Sequence, residues 1–251
     1  MYFNDVHIIY YVLLIILGGF IGQFIDYCNR CFIKEEKIFS KETFKKYKRI
    51  MLPNYALILI TAIGYILLLY KFGLKENFNE NLELIKYIML LPMLECAFVV
   101  DFKEQIIPNR LNLLMFEIGL IFVFLQGFSN INISTNMLLG SIAGAGIFII
   151  ITLLGGLIAG KEAMGMGDVK LMGALGLYFG FQNIILISVL SFLVGAIFSI
   201  IYMIIKRKSA NTYIPFGPFI VISSLITIFV PFSILFNMLM EFFTLGMYQV
   251  H

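Results

Sequence analysis

The sequence predicts an all-α membrane protein, a polytopic bundle of about eight transmembrane helices with both termini on the extracytoplasmic side. Three observations predict it. Of the 251 residues, 61% are hydrophobic and 13% charged, with a mean hydropathy of +0.96, against about 45–50% apolar and about 25% charged in globular domains. The charges gather in clusters that leave apolar runs long enough for a bilayer core of about 30 Å, which takes about 20 helical residues to cross. Lysine and arginine also crowd onto alternate loops, as cytoplasmic loops do.

Charge-free runs and their breakers place the spans, in order, near 7–27, 51–71, 84–100, 108–127, 136–159, 168–180, 183–205 and 214–239. Irregular backbone cannot face lipid, so each run is read as helix. The first follows "MYFNDVH", which lacks the basic region of a secretory signal peptide, so it is read as an uncleaved span. The uncharged run 171–205 is too long for one helix and is divided at "GFQN", residues 180–183. Under this division every Lys and Arg except Lys71, Lys75 and Lys86 falls on one side, with the densest cluster from Arg30 to Arg49. That side is therefore read as cytoplasmic. Topology accounts for the formal charge of +3, and no patch calls for nucleic acid. Without repeats or linkers, residues 1–251 read as a single polytopic membrane domain with a short basic cytoplasmic loop at about 28–50. Within it, "KETFKKYKR" reads as an orientation determinant, with leader or lipid contact as the sharper alternative.

The cysteines are Cys28, Cys31 and Cys96. "CNRC" (28–31) lies on the reducing side, where a structural disulfide is not expected. A zinc site wants four ligands, and the loop offers no second pair and no histidine, since His7 and His251 are assigned to the other side. No metal is predicted.

With the histidines on that far side, no Ser–His–Asp arrangement is in reach, and a nucleotide-cradling loop is absent. Five carboxylates remain within or at the ends of spans: Asp26, Glu95, Asp101, Glu117 and Asp168. Ionisable groups in a membrane helix cost about 2.5–3.5 kcal/mol each on insertion scales and mark function by default. Asp26 precedes Arg30 by four residues and reads as an i,i+4 pair. Glu95 and Glu117 fall inside spans, where they neutralise one another or meet a neighbouring helix. Asp101 closes the third span in "FVVDFKEQIIPNRLN", and Asp168 opens the sixth in "GMGDVK". Their plain readings are a solvated helix end beside Lys103 and a helix N-cap. Their surroundings favour chemistry. Gly165 and Gly167 permit positive φ and close backbone approach, and Pro108 interrupts a helix. Two carboxylates sharing one water and one proton form an aspartic-protease site. The ionised one takes a proton from water, and the protonated one hydrogen-bonds the scissile carbonyl.

These motifs resemble those of the GxGD membrane aspartyl proteases, and in particular of type IV prepilin peptidases. "GMGDVKLMGALG" (165–176) resembles the GxGD signature, and "DFKEQIIPNRLN" (101–112) is similar to the first-aspartate motif. "IPFGPFIV" (214–221) matches the Pro-Phe-Gly-Pro motif, and "GGFIGQFIDYCNR" (18–30) is a poorer match to the opening Gly-Ser-Phe-Leu-Asn motif. The resemblance implies a membrane endopeptidase that cleaves the short basic leader of type IV prepilin-like precursors at the cytoplasmic face. It puts Asp101 and Asp168 on the catalytic aspartates and Gly165 and Gly167 on the GxGD glycines. Pro108 and Asn109 take the Ile-Pro-Asn positions, while Pro215, Phe216, Gly217 and Pro218 shape the site. Its implied partners are a prepilin or pseudopilin precursor and the lipid bilayer. Proteolysis needs no cofactor. Many relatives carry two CxxC pairs and also methylate the new terminus with S-adenosylmethionine, whereas this chain has one "CNRC" and Gly22 where the opening motif has asparagine. The competing class is a proton- or cation-coupled transporter using intramembrane carboxylates. The absence of repeats and the position of both aspartates near one face speak against it.

Overall fold

The structure is a computed structural model that describes residues 2–4, 6–34, 36–38, 40–50, 53–159, 164–206 and 214–244. Lys161, Arg207 and Lys208, whose charges contribute to the expected orientation, and His251 lie outside the described residues. The chain forms two compact units, Met1–Met115 and Phe116–His251.

In the first unit a two-residue ladder, β1 (Tyr2–Phe3) with β2 (Val6–His7), precedes helix α1 (Ile8–Ile33). His7 Nδ1 accepts from Ile9 N–H at 3.4 Å and caps α1. No breaker follows Asp26, and Arg30 Nε donates to Asp26 Oδ2 at 2.9 Å one turn on. The helix therefore runs beyond the expected end at 27 and carries Cys28 and Cys31, both free thiols, on its last turns rather than in a loop. The remainder of the expected basic loop contains a helix, α2 (Lys41–Ile50). Asp26 ties it down: Tyr47 Oη donates to Asp26 Oδ2 at 3.0 Å, and Asn54 Nδ2 donates to Oδ1 at 3.0 Å. Burial and the neighbouring carboxylate push the Tyr47 hydroxyl up to about 12, so it stays protonated and able to donate.

Helix α3 (Tyr55–Phe72) lies against α1. A Cβ on Gly18 would stand 2.7 Å from Ala62 Cα, and one on Gly22 would stand 2.7 Å from Ile58 Cα. Small residues at such a crossing let membrane helices approach closely. Helix α4 (Phe78–Glu104) completes the unit. Its buried Glu95 accepts from Thr61 Oγ1 of α3 at 2.6 Å, so Glu95 meets a neighbouring helix. Glu117, on α5 (Asn109–Gly127), is exposed.

In the second unit Ser134 Oγ donates to Val123 O at 2.6 Å, joining α6 (Ile131–Ala159) to the end of α5. Helix α7 (Met166–Lys206) packs on α6 through glycines. A Cβ on Gly140 would stand 2.5 Å from Gly176 O, and one on Gly144 would stand 2.5 Å from Met172 O. The expected division of the long apolar run is real: α7 is two rods joined at Gly180, whose φ of 74° and ψ of 178° are non-helical. Glycine alone takes that conformation cheaply. Asn136 of α6 serves the joint, its Oδ1 accepting from Phe181 N–H at 3.2 Å.

The last expected span, 214–239, is not one helix. Helix α8 (Gly217–Phe229) stops at Val230, which is extended, and α9 (Phe232–Phe243) starts after Pro231. Proline drives its predecessor out of helical conformation and supplies no N–H of its own. Length and composition qualify α1, α3, α5, most of α6 and α7 as membrane-crossing among the described residues. The protein is thus an all-α, multi-pass membrane protein.

Candidate active site

Asp101 stands in the last turn of α4 and is 4% exposed. Gln105 ends the helix in the left-handed region, φ 57° and ψ 30°, and its N–H donates to Asp101 O at 2.8 Å. Leaving helical geometry at Gln105 ends α4 and places Asp101 in its final turn, although a non-glycine residue pays steric strain in that region. Pro108 then opens α5. Its carbonyl accepts from Leu111 N–H at 3.0 Å and Asn112 N–H at 3.2 Å, while Asn109 begins the helix and is exposed. Beside this turn lies a cavity of about 450 Å³, bordered by Cys31, Glu36, Glu104, Pro108, Asn109 and Arg110 among others. Glu36 accepts from Lys46 Nζ at 2.8 Å, and that bond holds its carboxyl below the usual range. The cavity is large enough for one or two peptide residues and has charged groups of both signs at its edge.

Asp168 stands in the first turn of α7 and is 6% exposed. Its N–H donates to Gly165 O at 3.1 Å, so the glycine-rich approach turns directly into helix. Gly165 and Gly167 do not use the positive φ that glycine permits: among described glycines only Gly73 and Gly180 have it. The helical turn needs no left-handed residue there. What Gly165 provides is space, since a Cβ at that position would stand 3.6 Å from Asp168 Oδ2. Behind Asp168, Leu171, Met172 and Leu175 are fully buried and anchor the start of α7.

The Pro-Phe-Gly-Pro residues open α8. Phe216 is the N-cap, and its carbonyl accepts from Phe219 N–H at 3.0 Å. Gly217 and Pro218 are buried and Pro215 is half-buried. Proline within the first helical turn loses no hydrogen bond. Phe216 is ringed by Phe192 (5.0 Å), Phe219 (5.9 Å) and Phe148 (6.0 Å). The motif thereby joins α6, α7 and α8 by aromatic packing.

Asp101, Pro108 and Asn109 therefore belong to the first unit, and Gly165, Gly167, Asp168 and Pro215–Pro218 to the second. Two neighbours escaped the sequence reading. Asn112 is 3% exposed one turn into α5, and an asparagine inside an apolar span was the signal for it. Gln105 in the left-handed region had no sequence signal. Among the described residues, no three His, Cys, Asp or Glu side chains gather as metal ligands.

Residues 88–200 match the type IV leader peptidase family. A prepilin leader peptidase/N-methyltransferase of Legionella pneumophila is 34% identical over 155 residues, covering 61% of this chain and 52% of that protein. The like-named protein of Escherichia coli K12 is 30% identical over 130 residues, 52% of this chain and 56% of its own. That of Pseudomonas aeruginosa PAO1 is 34% identical over 130 residues, 52% and 44%. The chain spans about half the length of the curated relatives it matches. No solved structure matches it. The matched segment, which is similar to the type IV leader peptidase family, contains Asp101, the Pro108–Asn109 turn and Asp168.

Proposed function

We propose that the protein is a membrane aspartic endopeptidase that removes the short basic leader of type IV prepilin-like precursors at the cytoplasmic membrane face. One observation carries the reading: the segment similar to leader peptidases contains two buried aspartates, each in the terminal turn of its helix. Asp101 and Asp168 form the dyad, and the two units work as one peptidase domain. The chain crosses the bilayer about eight times with both termini outside, which the one-sided distribution of basic residues supports.

In this mechanism one carboxylate is ionised and the other protonated. The ionised carboxylate takes a proton from water as the water oxygen bonds to the scissile carbonyl carbon. The protonated one donates to the carbonyl oxygen and steadies the charge that develops there. Collapse of the tetrahedral intermediate breaks the C–N bond, and the amine leaves with a proton from the dyad. Gly165 leaves room beside Asp168 for the substrate backbone, while Pro108, Asn109, Pro215, Gly217 and Pro218 shape the surrounding turns.

Methylation is not part of the proposal. The relatives' printed names include an N-methyltransferase, which would take S-adenosylmethionine. At Gly22, where the family's opening motif has asparagine, a side chain would collide with Ile58 Cα at 2.7 Å and Leu57 O at 2.8 Å. This chain has no room for that asparagine.

The test is to incubate the purified chain with a prepilin from the same genome and read the new N-terminus by mass spectrometry. Cleavage lost in Asp101→Asn and in Asp168→Asn, with both variants still inserted, supports the dyad. Normal turnover by either variant refutes it.

A further inference from the structure

The groove between the basic end of α1 and the start of α2 has no part in the proposed chemistry. It is an open cavity of about 400 Å³, lined by Phe24 and Tyr27 of α1, Ile38 and Ser40 of the connection, and Lys41 and Phe44 of α2. Phe24 is 51% exposed and Phe44 58%. Exposed apolar surface gathered in one place marks a binding site or a membrane contact. The rings form one wall: Tyr27 lies 6.1 Å from Phe24 and 5.9 Å from Phe44.

The wall is held in place. Tyr27 Oη donates to Ile38 O, and the two bonds that Asp26 accepts from Tyr47 and Asn54 fasten α2 and the following turn to α1. The charge of the surface is as definite as its shape. Lys46 is taken up by Glu36, while Lys41, Lys45 and Lys48 are exposed along α2. Lys41 stands at the groove itself.

An apolar groove beside a lysine, at the end of a helix that crosses the bilayer, has the polarity of a lipid: acyl chain on one side, anionic headgroup on the other. We infer that this groove binds one anionic phospholipid. Its acyl chain lies along Phe24, Tyr27 and Phe44, and its phosphate meets Lys41. Lys45 and Lys48 extend the positive surface over the leaflet, where basic residues near anionic lipid add attraction. A basic leader peptide would meet the like charge of Lys41 there. The inference rests on the orientation proposed above, which puts α2 at the cytoplasmic leaflet.

The purified full chain in maltoside detergent is titrated in parallel with phosphatidylglycerol and phosphatidylcholine, and adducts are counted by native mass spectrometry. One lysine–headgroup contact corresponds to a preference of about fivefold. Wild type is expected to favour phosphatidylglycerol by about that factor, Lys41→Gln to bring it level with phosphatidylcholine, and Phe44→Ser to weaken both lipids. Equal retention of the two lipids by wild type overturns the proposal, as does a preference that survives Lys41→Gln. The orientation is read separately, by reacting Lys48→Cys with an impermeant thiol reagent on intact cells. Labelling from outside would sink the orientation, whatever the lipid result.

Discussion

Asp101 and Asp168 are equally buried, but they sit at opposite ends of their helices. Asp101 lies in the last turn of α4 and Asp168 in the first turn of α7. The partial charge at a helix N-terminus welcomes an anion, and that at a C-terminus opposes one, by about 0.3–1 kcal/mol each. Backbone direction thus distinguishes two chemically identical side chains. In the proposed mechanism that difference would make Asp168 the base and Asp101 the proton donor. Their supports differ as well. α4 is tied to α3 by the Thr61–Glu95 hydrogen bond, whereas α7 is pressed onto α6 at Gly140, Gly144 and Gly176.

The largest effect is expected when each aspartate is replaced by asparagine. Either change should cut turnover by about 10²–10⁴-fold, the usual contribution of a positioned acid or base. Asp101→Asn should retain more activity, because an amide still donates to the scissile carbonyl, whereas asparagine at 168 cannot take water's proton. Equal losses would erase the division of labour. In the wild type, kcat/KM against pH should rise and fall as the dyad passes through its singly protonated form. A flat profile with chemistry limiting the rate would remove proton sharing.

The supports come next in size. Gly176→Leu drives a side chain into the Gly140 backbone and should cost about 1–3 kcal/mol in unfolding measurements. Thr61→Val removes one hydrogen bond to a buried carboxyl and should cost about 1–3 kcal/mol as well. Activity loss in the first without loss of secondary structure would show that the glycine seam positions Asp168. Gly180→Ala imposes a left-handed conformation on alanine and places its methyl 2.6 Å from Asn136 Nδ2, at about 1–3 kcal/mol.

The smallest effect is expected at Glu36 and Lys46, both at the surface. The hydrogen bond between them lowers the Glu36 carboxyl and raises the Lys46 ammonium. A depressed carboxyl stabilises above its unfolded value, and that contribution disappears as pH falls through the folded one. A raised ammonium stabilises below its unfolded value, and that contribution disappears as pH rises through the folded one. The pair therefore helps between the acid and lysine ranges and at neither extreme. Melting temperatures of wild type and Glu36→Gln should differ slightly at neutral pH and converge in acid, as solvent-screened pairs do. A gap that persists in acid would mean that Glu36 acts through packing.

Much of this was legible in the sequence, because membrane helices announce themselves by length and charge. Seven of the expected spans correspond to helices or half-helices, and the joint at Gly180 fell where "GFQN" put it. Two features were hidden. The extension of α1 past Asp26 depends on a pair that looked merely local, and the break at Pro231 lay inside an apolar run where one proline was outweighed by its neighbours. The aspartates stood out because charges are rare in such a chain. Their opposite helix ends did not, since that depends on where Gln105 stops α4, and a left-handed glutamine leaves no trace in composition.

The joint at Gly180 has a consequence for how such a chain drifts through mutation. Asn136, itself exposed, stands in for the partner that Phe181 lost when the helix broke. Changing either position alone takes from the Phe181 donor its side-chain partner or from the Asn136 carboxamide its task. Related sequences are therefore expected to keep both or to exchange both, with the intermediate selected against.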